Sequence, residues 1–122
     1  MLPRLSNVPQ LNNVVSDYLS ELQKQHFEGD IASNYADRLS LATDNSVYQQ
    51  LPQAILFPKS VADVVRITKL ANKEKYLHLT FTPRGGGTGT NGQSINNNII
   101  VDLSRHMTGI LELNIQESWV RV

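Results

Sequence analysis

Five of the seven glycines in this 122-residue chain are packed between Gly85 and Gly92, in the run Thr82-Pro83-Arg84-Gly85-Gly86-Gly87-Thr88-Gly89-Thr90-Asn91-Gly92-Gln93-Ser94. No other feature narrows the possible folds so far. Glycine reaches positive φ without steric cost and lets other groups come close to the backbone, so successive amides can turn inward as an anion nest. Thr88, Thr90 and Ser94 add hydroxyl donors, and a diphosphate is the natural guest. A flexible linker is the competing reading. Linkers spread Gly and Ser over long polar runs, whereas this loop is held between two apolar segments, Leu77–Thr82 and Ile99–Leu103.

Those segments read as strands. Leu77-His78-Leu79-Thr80-Phe81-Thr82 alternates with period two, and Ile99-Ile100-Val101-Asp102-Leu103 is a short apolar run. Ala54-Ile55-Leu56-Phe57, stopped by Pro58, reads as a buried strand. Ser60 then fits an N-cap, with Asp63 reaching back to its amide in a capping box. Val61, Val64, Val65, Thr68 and Ala71 form the expected buried stripe of the helix that follows, and Arg66, Lys69 and Lys73 its solvated face. Strand, helix and strand make a parallel, right-handed βαβ unit. Earlier in the chain, Leu11, Val14, Val15, Tyr18, Leu19 and Leu22 have amphipathic helical spacing, with Pro9 before them and Gly29-Asp30 at the end. Residues 31–53 read as loop with short helical turns. Ile110–Leu113 is expected as a further strand after Gly109. Trp119–Val122 alternates again without a turn or cap, which suggests a polypeptide that continues and a strand edge open to self-association. The expected class is α+β.

Bulk properties exclude several functions. Eleven basic residues balance eleven acidic ones, so no basic excess marks a nucleic-acid surface. With no cysteine, the chain offers no disulfide, thiolate nucleophile or iron–sulfur ligand. No stretch has the length of a membrane span, and Met1–Gln10 lacks the apolar core of a leader peptide, which suggests a cytoplasmic protein.

Two common phosphate motifs almost fit. Gly87-Thr88-Gly89-Thr90-Asn91-Gly92 spells the dinucleotide fingerprint, with Glu112 about where a ribose-binding acid belongs, but that fingerprint must open a helix. Gly87 through Ser94 also approaches a Walker A loop. Its lysine position holds Gln93, which cannot neutralise a terminal phosphate. Strand, glycine loop and strand is the context that remains.

In that context the sequence resembles the FAD-binding domain of the vanillyl-alcohol oxidase / p-cresol methylhydroxylase (PCMH) family, in its glycolate oxidase and D-2-hydroxyacid dehydrogenase branch. The matching segments occur in family order: Thr43-Asp44-Asn45-Ser46-Val47-Tyr48, then Pro52–Pro58 with Ser60 and Asp63-Val64, then Pro83–Gly89, then Val101-Asp102-Leu103-Ser104-Arg105. The resemblance implies a helical extension over residues 1–38 and the first part of a PCMH-type FAD-binding domain over 39–122. It implies that Arg84, Gly85, Gly86, Gly87, Thr88, Gly89, Gly92 and Ser94 bind the FAD pyrophosphate, with Arg84 either touching phosphate or bracing the loop. Thr88 stands where covalently flavinylated members carry histidine, so the FAD is expected to be non-covalent. Asp44, Ser46 and Tyr48 either line the flavin side of the site or form a structural turn. His26, His78 and His106 are expected to be ordinary structural residues, and Trp119 a core or interface aromatic. The implied parent oxidises a small-molecule 2-hydroxy acid, hands electrons to a further acceptor and carries an iron–sulfur cluster in a C-terminal part. No catalytic or metal-binding residue is expected within this chain, and the segment alone is expected to be inactive. A stand-alone phosphate- or nucleotide-binding module is the alternative.

Overall fold

The computed structural model describes residues 9–122; residues 1–8 of the expected extension, and with them most of the segment read for a leader, lie outside the described residues. Asn12 caps the first helix by accepting a hydrogen bond from the Val14 amide at 2.9 Å, and α1 spans Asn13–Lys24. Val15, Tyr18, Leu19 and Leu22 are its buried stripe, as the spacing predicted. The helix stops well before Gly29. His26 takes φ 59°, the left-handed conformation that commonly ends helices, so a histidine serves where a glycine was expected.

The segment expected to be loop contains more order than its composition suggested. Asp30–Ala32 is a short strand, β1, and Tyr35–Ser40 a short helix, α2, capped by Asn34. Three residues give too short a run for periodicity to register. The main sheet follows with β2 (Ala54–Phe57), β3 (Phe81–Arg84) and β4 (Ile99–Asp102), in the spatial order β1-β2-β4-β3. β2 and β3 both run parallel to β4, and β1 is antiparallel at the other edge. The two strands of the expected βαβ unit are therefore parallel but not neighbours, because β4 lies between them.

Every residue of β2 and β4 is buried. That explains their continuous apolar sequence, since central parallel strands are covered on both faces. One face presents Ala54, Leu56, Ile99 and Val101 to α1 and to α3 (Val61–Ala71), which follows β2. The other presents Ile55, Phe57 and Ile100 to Ala32 and Leu41. Pro83 sits in β3, an edge strand, where its missing N–H does not interrupt a ladder on both sides.

Three expectations shift here. The strand predicted from Leu77 begins only at Phe81, because Glu74–Tyr76 forms a 3-10 turn and buried Tyr76 and Leu79 anchor the connection to β3. In α3 the buried residues are Asp63, Ile67 and Leu70, whereas Val61 and Val65 are exposed, so the apolar stripe is rotated from the expected one. Ser60 does cap α3 by accepting from the Asp63 amide at 3.2 Å. Asp63 does not reach back to Ser60, however. Its fully buried carboxylate accepts from the amides of Lys59 and Glu28, both at 3.0 Å, and from Arg66, also at 3.0 Å. The sidechain thus ties the start of α3 to the chain entering β1.

Arg66 is paired with Asp63 within α3, and Lys73, just after that helix, is paired with Glu21 of α1. The last two strands, β5 (Glu112–Asn114) and β6 (Trp119–Arg121), form an antiparallel hairpin separate from the main sheet. β5 thus starts later than the expected Ile110. Trp119 is at the boundary of exposure rather than in a core, and its indole N–H donates to Glu117 at 2.9 Å.

Candidate cofactor site

The glycine loop leaves the C-terminal end of β3, the end of a parallel sheet at which ligands collect in open α/β folds. It then returns to the start of β4 without forming a helix; residues 93–98 are turn and irregular backbone. A strand at Ile99–Asp102 rules out the helix that a dinucleotide fingerprint or a Walker loop would require.

Two glycines in the loop need to be glycine. Gly87 has φ 66° and Gly92 φ 76°. At Gly87 the place of a Cβ is taken by the Arg84 guanidinium, and at Gly92 a Cβ would lie 3.1 Å from the Tyr48 ring. Arg84 also donates from Nη1 to the Ser94 carbonyl at 3.4 Å, so it spans the loop from its first residue to its last. Bracing is therefore an observed role of Arg84. Most of its N–H donors are left over for an anion.

Asp44, Ser46 and Tyr48 lie against the same loop. Asp44 accepts from the Ser46 amide at 2.9 Å through one carboxylate oxygen and from the Ser94 hydroxyl at 3.0 Å through the other. The neighbouring Asn45 amide donates to the Gly87 carbonyl at 3.0 Å, and Ser46 Oγ accepts from the Tyr48 amide at 3.1 Å. The hydrogen bonds from Ser46, and then from Ser94, hold the Asp44 carboxyl below the usual range against the opposing effect of partial burial. The segment is thus a structural turn, yet one fastened to the loop at both Gly87 and Ser94. Tyr48 itself is exposed and borders a half-polar hollow of about 310 Å³ shared with Asn91, Gly92 and Ile95.

Asn96 closes the far end. Its buried amide donates to Thr82 Oγ1 at 2.6 Å and to the Ile99 carbonyl at 3.0 Å, and its oxygen accepts from the Asn98 amide at 2.6 Å. Nothing in the run Asn96-Asn97-Asn98 as a sequence marks one member as an internal anchor.

Between these fixed ends lies an open stretch of backbone. Among the described residues, no amide from Gly85 to Thr90 donates to a protein acceptor, and Gly85 has open space where a side chain would be. A row of free N–H groups beside one arginine is the donor set that a diphosphate takes. These residues fit the group.

The remaining clusters serve other ends. His106 pairs with Asp30 at 2.6 Å, with Lys59 and Arg105 nearby, while His26 ends α1 and His78 lies exposed in the turn before β3. An apolar groove of about 450 Å³ lies between α3 and β3, where Ile67 of the helix meets Phe81 and Val101 on the sheet face turned away from Arg84. No helix among the described residues is long and apolar enough to cross a membrane.

The profile of a family described as FAD binding domain matches residues 52–122. D-2-hydroxyglutarate dehydrogenases of Haemophilus influenzae and Escherichia coli are 79% and 57% identical to this chain over its whole length. The chain spans only 12% of the length of each. Among solved structures, an alkyldihydroxyacetonephosphate synthase aligns over 91% of this chain and 22% of its own, with TM-score 0.72 at 19% identity. BBE-like 1 of Physcomitrella patens aligns over 73% of this chain and 19% of its own, with TM-score 0.56 at 20% identity. Such distant likenesses establish the shared fold, in agreement with the α+β architecture. The chain belongs to the FAD binding domain family of PCMH type, and its strand, glycine loop and strand are the part of that fold built here.

Proposed function

We propose that Arg84, Gly85, Gly86, Gly87, Thr88, Gly89, Gly92 and Ser94 hold the diphosphate of FAD, and that the parent polypeptide oxidises a 2-hydroxy acid. The observation that carries the first part is the run of unpartnered amides from Gly85 to Thr90 beside Arg84. Ser94 contributes its backbone N–H, since its hydroxyl proton is directed at Asp44. Residues 39–122 form the first part of the flavin domain, and the described part of the extension before them docks on it through α1 and adds β1 to its sheet. The relatives' name makes D-2-hydroxyglutarate the leading substrate.

FAD, when bound, supplies the acceptor for the two electrons that leave the substrate's C–H bond. This chain's own residues bind and orient it. The amides and Arg84 neutralise the diphosphate, and the parallel sheet fixes where the loop begins and ends. Thr88 lacks the imidazole that attaches the flavin ring in covalently flavinylated members, so the cofactor is held by these contacts without a covalent bond.

Removing Arg84 tests the assignment. A charge-assisted hydrogen bond contributes roughly 1.5–3 kcal/mol, so Arg84→Ala should weaken FAD about ten- to a hundredfold in a flavin-fluorescence titration of the parent flavoprotein. An unchanged dissociation constant would show that the diphosphate is held elsewhere.

A further inference from the structure

The turn at Asp44 makes no use of its charge in the main sheet, yet it touches the glycine loop at two separated points. Asp44 is partly buried, and no cation pairs with it among the described residues. A carboxylate next to an anion-binding loop is unfavourable unless it does something there, because it repels the ligand. Here both of its oxygens are engaged: one by the Ser46 amide at 2.9 Å, the other by the Ser94 hydroxyl at 3.0 Å. Ionised aspartate can only accept, so the Ser94 hydroxyl must be the donor. That directs the hydroxyl proton at Asp44 and withholds it from a phosphate. The same turn aims the Asn45 amide at the Gly87 carbonyl, 3.0 Å away. With its carbonyl held by Asn45, the peptide after Gly87 has one orientation, and its N–H, that of Thr88, faces the opposite way.

We propose that Asp44 is a positioning residue for the cofactor: it locks Ser94 and, through Asn45, Gly87, so that the loop presents amides rather than carbonyls or the Ser94 hydroxyl to the diphosphate. The inference rests on the loop being the diphosphate site. It assigns Asp44 to neither of the two simple alternatives, a flavin contact or an isolated turn. Its action is on the loop's geometry, and so on the diphosphate half of FAD alone.

The test compares FAD with riboflavin, which lacks phosphate, in the intact apo-flavoprotein. Asp44→Ala should weaken FAD about tenfold or more while changing riboflavin affinity less than twofold. Asp44→Asn should recover only part of the loss, because its oxygen still accepts from Ser46 and its amide can donate to the Ser94 oxygen, but the Ser94 proton is then released. Ser94→Ala should weaken FAD in the native background and add nothing in the Asp44→Ala background, since both remove one link. Equal losses for FAD and riboflavin would mark a general disturbance of the fold and overturn the proposal. So would a Ser94→Ala penalty that persists without Asp44, which would mean the hydroxyl binds phosphate directly. Gly87→Ala is the control for the reading beneath. If it weakens FAD and Asp44→Ala does not, the positioning role fails and the loop assignment stands. If Gly87→Ala also leaves FAD binding intact, the loop assignment itself fails.

Discussion

The β2–β4 pair and the segment around the β5–β6 hairpin both carry large aliphatic residues, which end in opposite environments. Ile55, Leu56, Ile99 and Ile100 are wholly buried, whereas Ile110, Leu111, Leu113 and Ile115 are each more than 60% exposed. Strand propensity is not what separates them. β2 and β4 have a helical layer on one face, α1 and α3, and a second cluster on the other. The hairpin has two strands and no layer against it, and an isolated pair has only marginal stability in water. The apolar pattern fixes which residues want burial; a second layer decides whether they obtain it.

The largest expected effect breaks this contrast from the buried side. Leu56→Ala removes a fully buried side chain facing α1 and α3 and should destabilise the fold by about 2–5 kcal/mol. Leu113→Ala, the same change on the hairpin, should cost roughly 0.5 kcal/mol or less. Urea denaturation of both variants measures the difference. Equal shifts in midpoint would mean that the hairpin is packed in solution and the contrast is false.

The same contrast explains what the sequence made legible. Central strands, the α1 stripe and the Ser60 cap could be read because each follows from a local rule of period or capping. The glycine loop could be read because five glycines in a row of eight positions have few other uses. The register of α3 could not, since Val61 and Ile67 are equally apolar and only the sheet decides which turns inward. β1 was hidden for a similar reason: Asp30, Ile31 and Ala32 pair with Phe57, Leu56 and Ile55, partners distant in sequence. At the site, the loop residues were visible, but their fastening to Asp44, Asn45 and Asn96 depends on contacts that no spacing encodes.

An intermediate effect concerns what the uncovered hairpin does. Exposed Leu113, Val120 and Val122 beside unpaired strand edges favour pairing with another apolar strand. The 122-residue chain by itself should therefore show an apparent mass that rises with concentration in sedimentation equilibrium. Val120→Lys should suppress the rise by placing a charge on the face that associates. A purely monomeric profile up to high concentration would mean the hairpin shields its own apolar surface, and the distinction between the two regions would be one of degree.

The smallest effect sharpens the comparison from the core side, where α1 is fastened to the turn before β3 by charge as well as packing. Glu21 receives Lys73, Lys75 and the Tyr76 hydroxyl, and these bonds, Lys73 first, hold its carboxyl at about 2 against an ordinary 4.5. The folded-state value is the lower one. The stabilisation is therefore complete above about 4.5, falls with pH below that, and is gone once pH passes below about 2. Exposure of the lysines screens the pairs, which keeps the effect well below that of Leu56→Ala. Glu21→Gln should lower the thermal midpoint modestly at pH 7, and its gap from the native chain should close as the pH approaches 2. High salt at pH 7 should narrow the gap as well, because partly exposed ion pairs are screened. A gap independent of both pH and salt would assign the role of Glu21 to its neutral hydrogen bond with Tyr76, leaving α1 held by the same kind of burial that the hairpin lacks.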